Sequence, residues 1–265
     1  MRRPVEILEP LLLRLPMLYA VARRLFRLSD PDRAVFCGLV PLRATVVEVG
    51  ANTGHYTTLL ARLVGSHGRV FAFEPNPIAR LALESRLGRD GVKKRVSVRS
   101  EAVGSSSGSA VLSWPVGDTA QSALCTHSNG SWAGGPPVES EEVRMVSLDE
   151  FAEEEGLAAV GLLKLDIEGA ELAALAGARR LIERFRPVLH IEVCPQWQHD
   201  FGYGAQELAE ELSRAGFDRV FWVTSRGRLE PGTVANPPQE STNAVCFMSA
   251  VHRIPRSWSR RGAGA

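Results

Sequence analysis

The 265-residue sequence has few cysteines and almost no net charge, and these two absences exclude several classes of protein. Its four cysteines are scattered, with no C-x-x-C pair and no cysteine–histidine cluster at the spacing of metal ligands, so neither a disulfide framework nor a zinc site is expected. We interpret them as reduced thiols, as in cytoplasmic proteins. The formal net charge of +1 produces no field strong enough to select nucleic acid, and no nucleic-acid partner is expected.

The sequence also has no apolar run long enough to cross a membrane. The most apolar stretch near its start is interrupted by Glu9, Pro10, Arg14 and Pro16, and the same residues argue against a secretory signal. A cytoplasmic location is the resulting expectation. Hydrophobic residues nevertheless make up 45% of the chain, which is ordinary for a globular protein with a sizeable core.

Three regions are predicted along the chain: an N-terminal helical extension at 1–42, a main domain at 43–250 and a C-terminal tail at 251–265. Apolar residues recur at helical spacing from Leu11 to Phe26, with arginines in the intervening positions. We favour a helix that packs on the main domain, and the alternative is weak contact with a membrane surface or a partner protein. A homo-oligomer is a further open alternative.

The main domain alternates short β-branched runs with helical patterns, which is typical of βαβ units and a mostly parallel sheet. Seven strands are predicted, and the last two are close enough in sequence to pair antiparallel. The strands are predicted at 45–49, 69–73, 95–99, 160–165, 188–193, 219–224 and 243–248. The helices are predicted at 54–65, 77–87, shortly after 147, at 169–182 and at 205–215.

The alternation lapses between residues 105 and 146, where the sequence is rich in Ser, Gly and Pro. We predict a hairpin-like insertion with arms at 110–114 and 142–146. Trp114 and Trp132 lie within it, and flat indole rings suit sugars and other ring-shaped ligands. The hypothesis is that the insertion forms a lid over the substrate. The alternative is that one Trp anchors the hairpin to the core while the other lies on the surface.

The first predicted strand runs into a glycine-bearing turn and then a helix, which marks a ligand crevice in an open α/β sheet. The pattern is Gly50-x-Asn52-x-Gly54, whereas enzymes that bind dinucleotides carry G-x-G-x-x-G to hold a pyrophosphate. A methionine-derived sulfonium cofactor has no phosphate and instead needs polar groups near its ammonium end. Glu48 and Asn52 are placed for that role, and Tyr56 in the following helix is included among the cofactor residues.

An acidic residue ends the second strand, about twenty residues after the glycine turn, where a carboxylate accepts hydrogen bonds from ribose hydroxyls. This residue is Glu74, and the neighbouring Pro75, together with Glu101 and Ala102 after the third strand, is interpreted as part of the adenine site. The alternatives are that Glu74 is a helix-capping acid and that Glu101 is a solvated turn residue.

Five sequence strings, in this order and at these separations, resemble the FkbM family of methyltransferases. They are VEVGANTGHYT, FAFEPNP, SLDEF, LLKLDIEGAE and VLHIEV, and the resemblance covers roughly residues 43–248. Each string is weak alone, but KLDIEGAE together with VGANTGHYT is a specific signal. The sequence departs from the family at Glu48, where the family more often has Asp, so the side chain is longer by one methylene.

The resemblance implies a Rossmann-like class I methyltransferase fold, with a seven-stranded, mostly parallel sheet and helices on both faces. It also implies dependence on S-adenosylmethionine and transfer of the methyl group to a small-molecule hydroxyl. The expected acceptor is a hydroxyl on a sugar, glycoside or polyketide-type natural product, because the family mostly methylates hydroxyl oxygens.

The reacting end of the site is predicted at the carboxyl ends of the fourth and fifth strands. Lys164 and Asp166 alternate on one face of the fourth strand, Glu168 follows in the turn, and His190 and Glu192 share one face of the fifth. Asp166, His190 and Glu192 are the candidate catalytic residues, and Asp166 is also a cofactor candidate. His190 is the candidate base because its ordinary pKa suits proton transfer near neutral pH.

A metal ion is the alternative way to remove the proton from an alcohol. An ordinary carboxylate is too weak a base for this, so it needs a raised pKa, or a bound cation that acidifies the hydroxyl. Asp166, Glu168 and Glu192 provide the oxygen ligands that Mg²⁺ prefers. The simpler interpretations are that Glu168 favours a helix N-terminus, that Lys164 neutralises a buried carboxylate, and that His190 is a core residue.

Two other functions compete with methyl transfer. One is a nucleotide-dependent oxidoreductase on a similar sheet, which the spacing of the glycine turn disfavours. The other is a catalytically inactive cofactor-binding module, which the joint presence of Glu74, Asp166 and Glu192 disfavours.

Overall fold

The computed structural model describes residues 30–128 and 130–254. The helix predicted between Leu11 and Phe26 and most of the tail predicted at 251–265 lie outside these residues. Among the helices that the model describes, none is long and apolar enough to cross a membrane.

The described chain contains eight α-helices and eleven strands, apart from short 3-10 turns. The helices are α1 (Pro31–Leu39), α2 (His55–Leu63), α3 (Pro77–Arg89), α4 (Leu148–Glu154), α5 (Glu171–Ala176), α6 (Arg179–Phe185), α7 (Pro195–Asp200) and α8 (Ala205–Arg214). The strands are β1 (Thr45–Val49), β2 (Arg69–Phe73), β3 (Val96–Arg99), β4 (Ala102–Val103), β5 (Gly108–Pro115), β6 (Val138–Val146), β7 (Leu162–Leu165), β8 (Val188–Val193), β9 (Arg219–Val223), β10 (Leu229–Gly232) and β11 (Thr242–Phe247).

The main sheet has eight strands in the order β10-β9-β11-β8-β7-β1-β2-β3. Strands β1, β2, β3, β7 and β8 pair in parallel, while β11 is antiparallel to both β8 and β9. The predicted mostly parallel α/β sheet with an antiparallel final strand is therefore confirmed. The predicted number of strands was wrong by one, because β10 adds to the edge beside β9. Pro231 and Gly232 disfavour a strand, and they are tolerated here because an edge strand is paired on one side only.

Helices cover both faces of the sheet. One face packs against α1, α2 and α3 through a cluster that includes Phe36, Leu59 and Leu83. The opposite face packs against α4, α5, α6 and α8 through a larger cluster that includes Phe151 and Leu208. Because alternate strand residues point to opposite faces, Val46 belongs to the first cluster and Val47 to the second. The carboxyl ends of the parallel strands meet at one edge of this three-layer core.

Local signals account for where several helices begin. Pro77 occupies the first turn of α3, and the side chain of Asn76 accepts hydrogen bonds from the backbone N–H groups of Ile78 and Ala79. Ser147 caps α4 in the same way, through the N–H of Glu150. Asparagine followed by proline is a sequence pattern typical of a helix start.

One predicted helix is interrupted. The segment predicted as a single helix at 169–182 forms the two short helices α5 and α6, which meet at Gly177 and Ala178. Gly177 packs directly on the backbone carbonyl of Gly104, so a side chain at this position would collide with it. Its own carbonyl accepts from the N–H of Asp149 instead of continuing the helix. Apolar periodicity does not reveal such a contact between distant backbones.

The insertion forms its own small sheet. β5 and β6 pair antiparallel over eight residue pairs, from Gly108–Met145 to Pro115–Val138, and β4 pairs in parallel with β6. Leu112, Trp114 and Val143 pack with Ala102 in a separate apolar cluster. The insertion is therefore attached to the domain beside the end of β3.

Candidate active site

A cavity of about 180 Å³ lies at the carboxyl ends of β1, β2 and β7. This is the edge where an open parallel sheet binds its ligands. The predicted site residues that line the cavity are Gly50, Asn52, Glu74, Pro75, Glu101, Ala102, Asp166 and Glu168. Five others do not line it: Glu48, Gly54, Tyr56, His190 and Glu192.

The glycine turn brings two strand ends into direct contact. Gly50 has a φ of +82°, and a β-carbon at this position would collide with the backbone carbonyl of Asp166. The N–H groups of Gly50 and Ala51 donate to the carbonyl of Phe73, which ties the turn to β2. Asn52 adopts a left-handed conformation with a φ of +47°. The turn therefore needs glycine for close approach and for positive φ.

Glu74 is held by the turn on one side and by the start of α3 on the other. Its carboxylate accepts from the N–H of Asn52 at 2.6 Å and from the N–H of Asn76 at 2.9 Å. Burial raises the pKa of Glu74 to about 7, although both hydrogen bonds favour the ionised form. Because each carboxylate oxygen has two lone pairs, Glu74 retains capacity to accept further hydrogen bonds from a ligand.

Glu101 and Ala102 form the next part of the wall. Arg99 donates to both carboxylate oxygens of Glu101, at 2.8 Å from Nη2 and 3.3 Å from Nε. Burial opposes ionisation of Glu101, but the hydrogen bonds from Arg99 outweigh it and hold the pKa of Glu101 below its ordinary value. Glu101 is therefore a buried, ion-paired wall residue rather than a solvated one.

Three predicted cofactor residues lie behind the cavity wall. The fully buried Glu48 lies beside Lys164 on the neighbouring strand, and burial raises its pKa to about 7 while the charge of Lys164 opposes the rise. Gly54 packs on α3, where an added β-carbon would lie 2.6 Å from Cδ1 of Leu83. Tyr56 places its ring 5.3 Å from Nζ of Lys164.

Lys164 and Asp166 form an ion pair at the end of β7. Lys164 is fully buried, and its Nζ lies 2.9 Å from Oδ2 of Asp166 and 3.3 Å from the carbonyl oxygen of Gly50. Burial opposes ionisation of both groups, but their mutual attraction lowers the pKa of Asp166 and raises that of Lys164. Asp166 is therefore a stable anion at the cavity wall.

Three carboxylates converge at this point. Carboxylate oxygens of Asp166, Glu168 and Glu192 lie within 4.8 Å of one another. One oxygen each of Glu168 and Glu192 is buried without a hydrogen-bond partner among the described residues. Burial and the charge of Asp166 raise the pKa of Glu168 to about 10 and that of Glu192 well above its ordinary value. At neutral pH Glu168 therefore holds its proton, whereas Asp166 remains ionised beside Lys164.

His190 does not line the cavity and instead contacts helix α1 in the N-terminal part of the described chain. It is fully buried, its Nε2 lies 2.9 Å from Oδ1 of Asp32 in α1, and its ring packs on Phe36 at 4.7 Å between centroids. Asn243 donates to the other oxygen of Asp32. Since a carboxylate only accepts, Nε2 of His190 is the donor, and this nitrogen is engaged with α1 rather than with the cavity.

Residues of the insertion line part of the cavity wall. Its residues Leu112, Thr119, Ala120, Ser122, Ala123 and Leu124 line the wall opposite the sheet. Trp114 and Trp132 are each only 4% exposed, so neither ring faces open space. Nε1 of Trp114 donates to Glu139 across the hairpin.

Several residues that hold the site together were not singled out from the sequence as site residues. Glu171 accepts from the N–H groups of Ile167 and Gly169 and so shapes the turn that carries Glu168. Asn76 donates through Nδ2 to Ser122, which ties the insertion to the Glu74 side of the cavity. The contacts of Glu171 lie within four residues of sequence, whereas Asn76 and Ser122 lie 46 residues apart, and only the capping pattern of Asn76 gave a local signal.

The chain has the Rossmann-like fold of class I methyltransferases, with a mostly parallel sheet and a cavity at the carboxyl ends of its strands. The family model of the FkbM methyltransferase domain matches residues 48–219, and the chain belongs to this family. None of the curated proteins compared with the chain matches it.

Solved structures of similar shape include an FkbM methyltransferase from Methylobacillus flagellatus, which is 18% identical with a TM-score of 0.48. The match covers 91% of this chain, which spans 58% of the length of that protein. An S-adenosylmethionine-dependent O-methyltransferase from Thermotoga maritima is 18% identical with a TM-score of 0.42, over 83% of this chain and 65% of its own. The fibrillarin of Aeropyrum pernix, solved with bound S-adenosylmethionine, is 10% identical with a TM-score of 0.46, over 79% and 68%.

Proposed function

We propose that the protein is an active O-methyltransferase that uses S-adenosylmethionine to methylate a hydroxyl group on a sugar, glycoside or polyketide-type small molecule. The observation that carries the proposal is the single cavity that joins Glu74 at one end to Asp166 and Glu168 at the other. In this proposal Glu74 binds the ribose, and Asp166 and Glu168 form the reacting end of the same cavity.

The residues present fit the cofactor. Gly50 lines the cavity beside the end of β7, and Oδ1 of Asn52 is buried without a partner among the described residues. Glu74 can accept from ribose hydroxyls, while Pro75 and Ala102 provide apolar walls for a base. When bound, S-adenosylmethionine supplies an electrophilic methyl group and a positive sulfonium charge.

The reacting end holds the acceptor hydroxyl and takes its proton. Methyl transfer requires the acceptor oxygen to be held in line with the methyl group at about 3–3.5 Å, which is a task of positioning. Asp166 is ionised and attracts positive charge to this end of the cavity. A positive charge close to Glu168 and Glu192 lowers their raised pKa values and prepares an ionised carboxylate that accepts the proton.

We assign the proton acceptor to the acidic cluster rather than to His190. His190 is fully buried and does not line the cavity, and its Nε2 is engaged by Asp32. A Mg²⁺ ion bound by Asp166, Glu168 and Glu192 is the second form of this proposal, since their oxygens are close enough for a shared cation.

Calorimetry and a product screen test the proposal. We expect S-adenosylmethionine and S-adenosylhomocysteine to bind, and NAD and NADP not to bind. Incubation with a panel of glycosides and polyketides should give a product heavier by one methyl group in mass spectrometry. Saturable dinucleotide binding without S-adenosylmethionine binding contradicts the cofactor, and cofactor binding without any methylated product across the panel supports an inactive binding module.

Removal of divalent cations by a chelator distinguishes the carboxylate form of the proposal from the Mg²⁺ form. Activity that is lost in excess EDTA and restored by Mg²⁺ supports the metal form. Activity that persists fully in EDTA supports proton transfer to a carboxylate alone. If activity persists in EDTA and His190→Ala is inactive although it still binds S-adenosylhomocysteine, the assignment to the acidic cluster is wrong.

A further inference from the structure

His127 connects the insertion to the turn that carries Glu168. Its side chain is fully buried, and its Nε2 lies 2.8 Å from the backbone carbonyl oxygen of Glu168. Its Nδ1 lies 3.1 Å from Oδ2 of Asp200 in α7. The ring also stacks on Trp197 at 5.2 Å between centroids and meets Trp132 edge-on.

Both hydrogen-bond partners of His127 are acceptors. A backbone carbonyl never donates, and Asp200 is ionised because hydrogen bonds from Ser128 and His127 hold its pKa below the ordinary value despite some burial. The N–H and the hydroxyl of Ser128 also donate to Asp200. Nε2 of His127 therefore donates to the carbonyl of Glu168, while Asp200 and the indole of Trp197 hold the ring in place.

The residue held by this contact has an unfavourable backbone conformation. Glu168 has a φ of +57°, in the left-handed region that residues with a β-carbon rarely adopt. Such a conformation persists only where surrounding contacts enforce it. The next residue, Gly169, is held by the hydroxyl of Tyr203, which donates to its carbonyl at 2.9 Å. The carbonyl of Glu168 itself is held by His127.

We propose that His127 is a positioning residue: by donating from Nε2 it holds Glu168 in its left-handed conformation and keeps the Glu168 carboxylate beside Asp166. The insertion then has two attachments around the cavity, one from Ser122 to Asn76 and one from His127 to Glu168. The contribution of this contact to methyl transfer rests on the proposed function, whereas the contact itself does not.

Two measurements test the contact without any acceptor. In a nitrogen-15 NMR spectrum, we expect Nε2 of His127 to carry a proton, with the resonance assigned by its loss in His127→Phe. In hydrogen–deuterium exchange, His127→Phe should speed exchange of the peptide that contains Gly169 at least tenfold. Phenylalanine keeps an aromatic ring for stacking but donates no hydrogen bond.

The matched control is His199→Phe, because His199 lies in the same α7 helix and is 92% exposed. It should change neither measurement. An Nε2 of His127 that carries no proton, or unchanged exchange at Gly169 in His127→Phe, overturns the proposal.

The kinetic test uses the acceptor that the product screen identifies. His127→Phe should lower kcat at least tenfold and leave the affinity for S-adenosylhomocysteine within threefold, and His127→Gln, which retains one donor, should recover part of kcat. Equal loss of cofactor affinity and kcat in both variants, or wild-type kcat in His127→Phe, contradicts positioning. If the wild-type protein transfers no methyl group, the proposed function fails, and the NMR and exchange results still decide the role of His127.

Discussion

The two ends of the cavity hold their carboxylates in different ways. At the cofactor end, Glu74 and Glu101 have hydrogen-bond donors on both oxygens. At the reacting end, Glu168 and Glu192 each keep one buried oxygen without a partner among the described residues. A buried polar group without a partner costs stability, so a protein retains it mainly where a ligand or a reaction completes it. The fold thus supplies hydrogen-bond donors to the carboxylates of the cofactor end, whereas the carboxylates of the reacting end await donors from what binds there.

The largest effect is expected from a substitution that breaks the close contact between the glycine turn and the end of β7. Gly50→Ala places a β-carbon against the carbonyl of Asp166 at a positive φ and should destabilise the fold by about 3–5 kcal/mol. Urea denaturation measures the change. Gly91→Ala is the control, because Gly91 also has a positive φ but no heavy atom near the added carbon, and it should cost only about 1–2 kcal/mol. Equal losses in the two variants would falsify the claim that close packing at Gly50 matters.

The second effect isolates the reacting end. Asp166→Asn keeps the shape of the side chain and removes its charge, so turnover should fall roughly 100-fold or more. Steady-state kinetics measure turnover, and calorimetry with S-adenosylhomocysteine should show affinity within a few-fold of wild type. A variant that loses cofactor affinity as strongly as turnover would assign Asp166 to the cofactor end instead.

The third effect isolates the cofactor end. Glu74→Gln should weaken S-adenosylhomocysteine by about 1.5–3 kcal/mol, the scale of hydrogen bonds to a charged group. Because burial raises the pKa of Glu74 to about 7, the wild-type carboxylate loses its charge as the pH falls. Wild-type affinity should therefore be roughly tenfold weaker at pH 6 than at pH 8.

Calorimetry at the two pH values measures this dependence, and the Glu74→Gln variant is its control. The difference between pH 6 and pH 8 should disappear in the variant. If it remains, another group controls the pH dependence, and the ribose contact lies elsewhere.

The smallest expected effect is on the free energy of unfolding, and it has opposite signs at the two ends of the cavity. Unfolded Glu168 loses its proton near 4.5, whereas folded Glu168 keeps it until about 10, so unfolding releases a proton in between and rising pH favours unfolding. Glu168→Gln should therefore stabilise the protein at pH 8 by about 0.5–2 kcal/mol. Glu101→Gln should instead destabilise the protein by about 0.5–1.5 kcal/mol. The pKa of Glu101 is lowered in the folded protein, so its ionised carboxylate stabilises the fold at every pH above the ordinary pKa of a glutamate. Urea denaturation at pH 8 measures both, and changes of the same sign would remove the distinction between the ends.

The sequence by itself determined seven of the eight strands of the main sheet, most of the helices and the edge of the sheet at which the site lies. Residue periodicity identifies which side chains face the core, and the carboxyl ends of parallel strands meet at one edge whatever their partners are. This is why Gly50, Glu74 and Asp166 could be placed together in advance. The prediction of a methyltransferase of the FkbM family followed from the same segments and is confirmed.

The tertiary structure alone decided which of these residues face the cavity. His190 is held by Asp32, 158 residues earlier in the chain, and Gly54 packs on Leu83 of another helix. The break between α5 and α6 at Gly177 and the contact of His127 with Glu168 also depend on segments far apart in sequence. Periodicity specifies the face and the end of a strand on which a side chain lies, but not which distant segment covers it. That assignment follows from long-range packing, because only the folded chain brings these segments together.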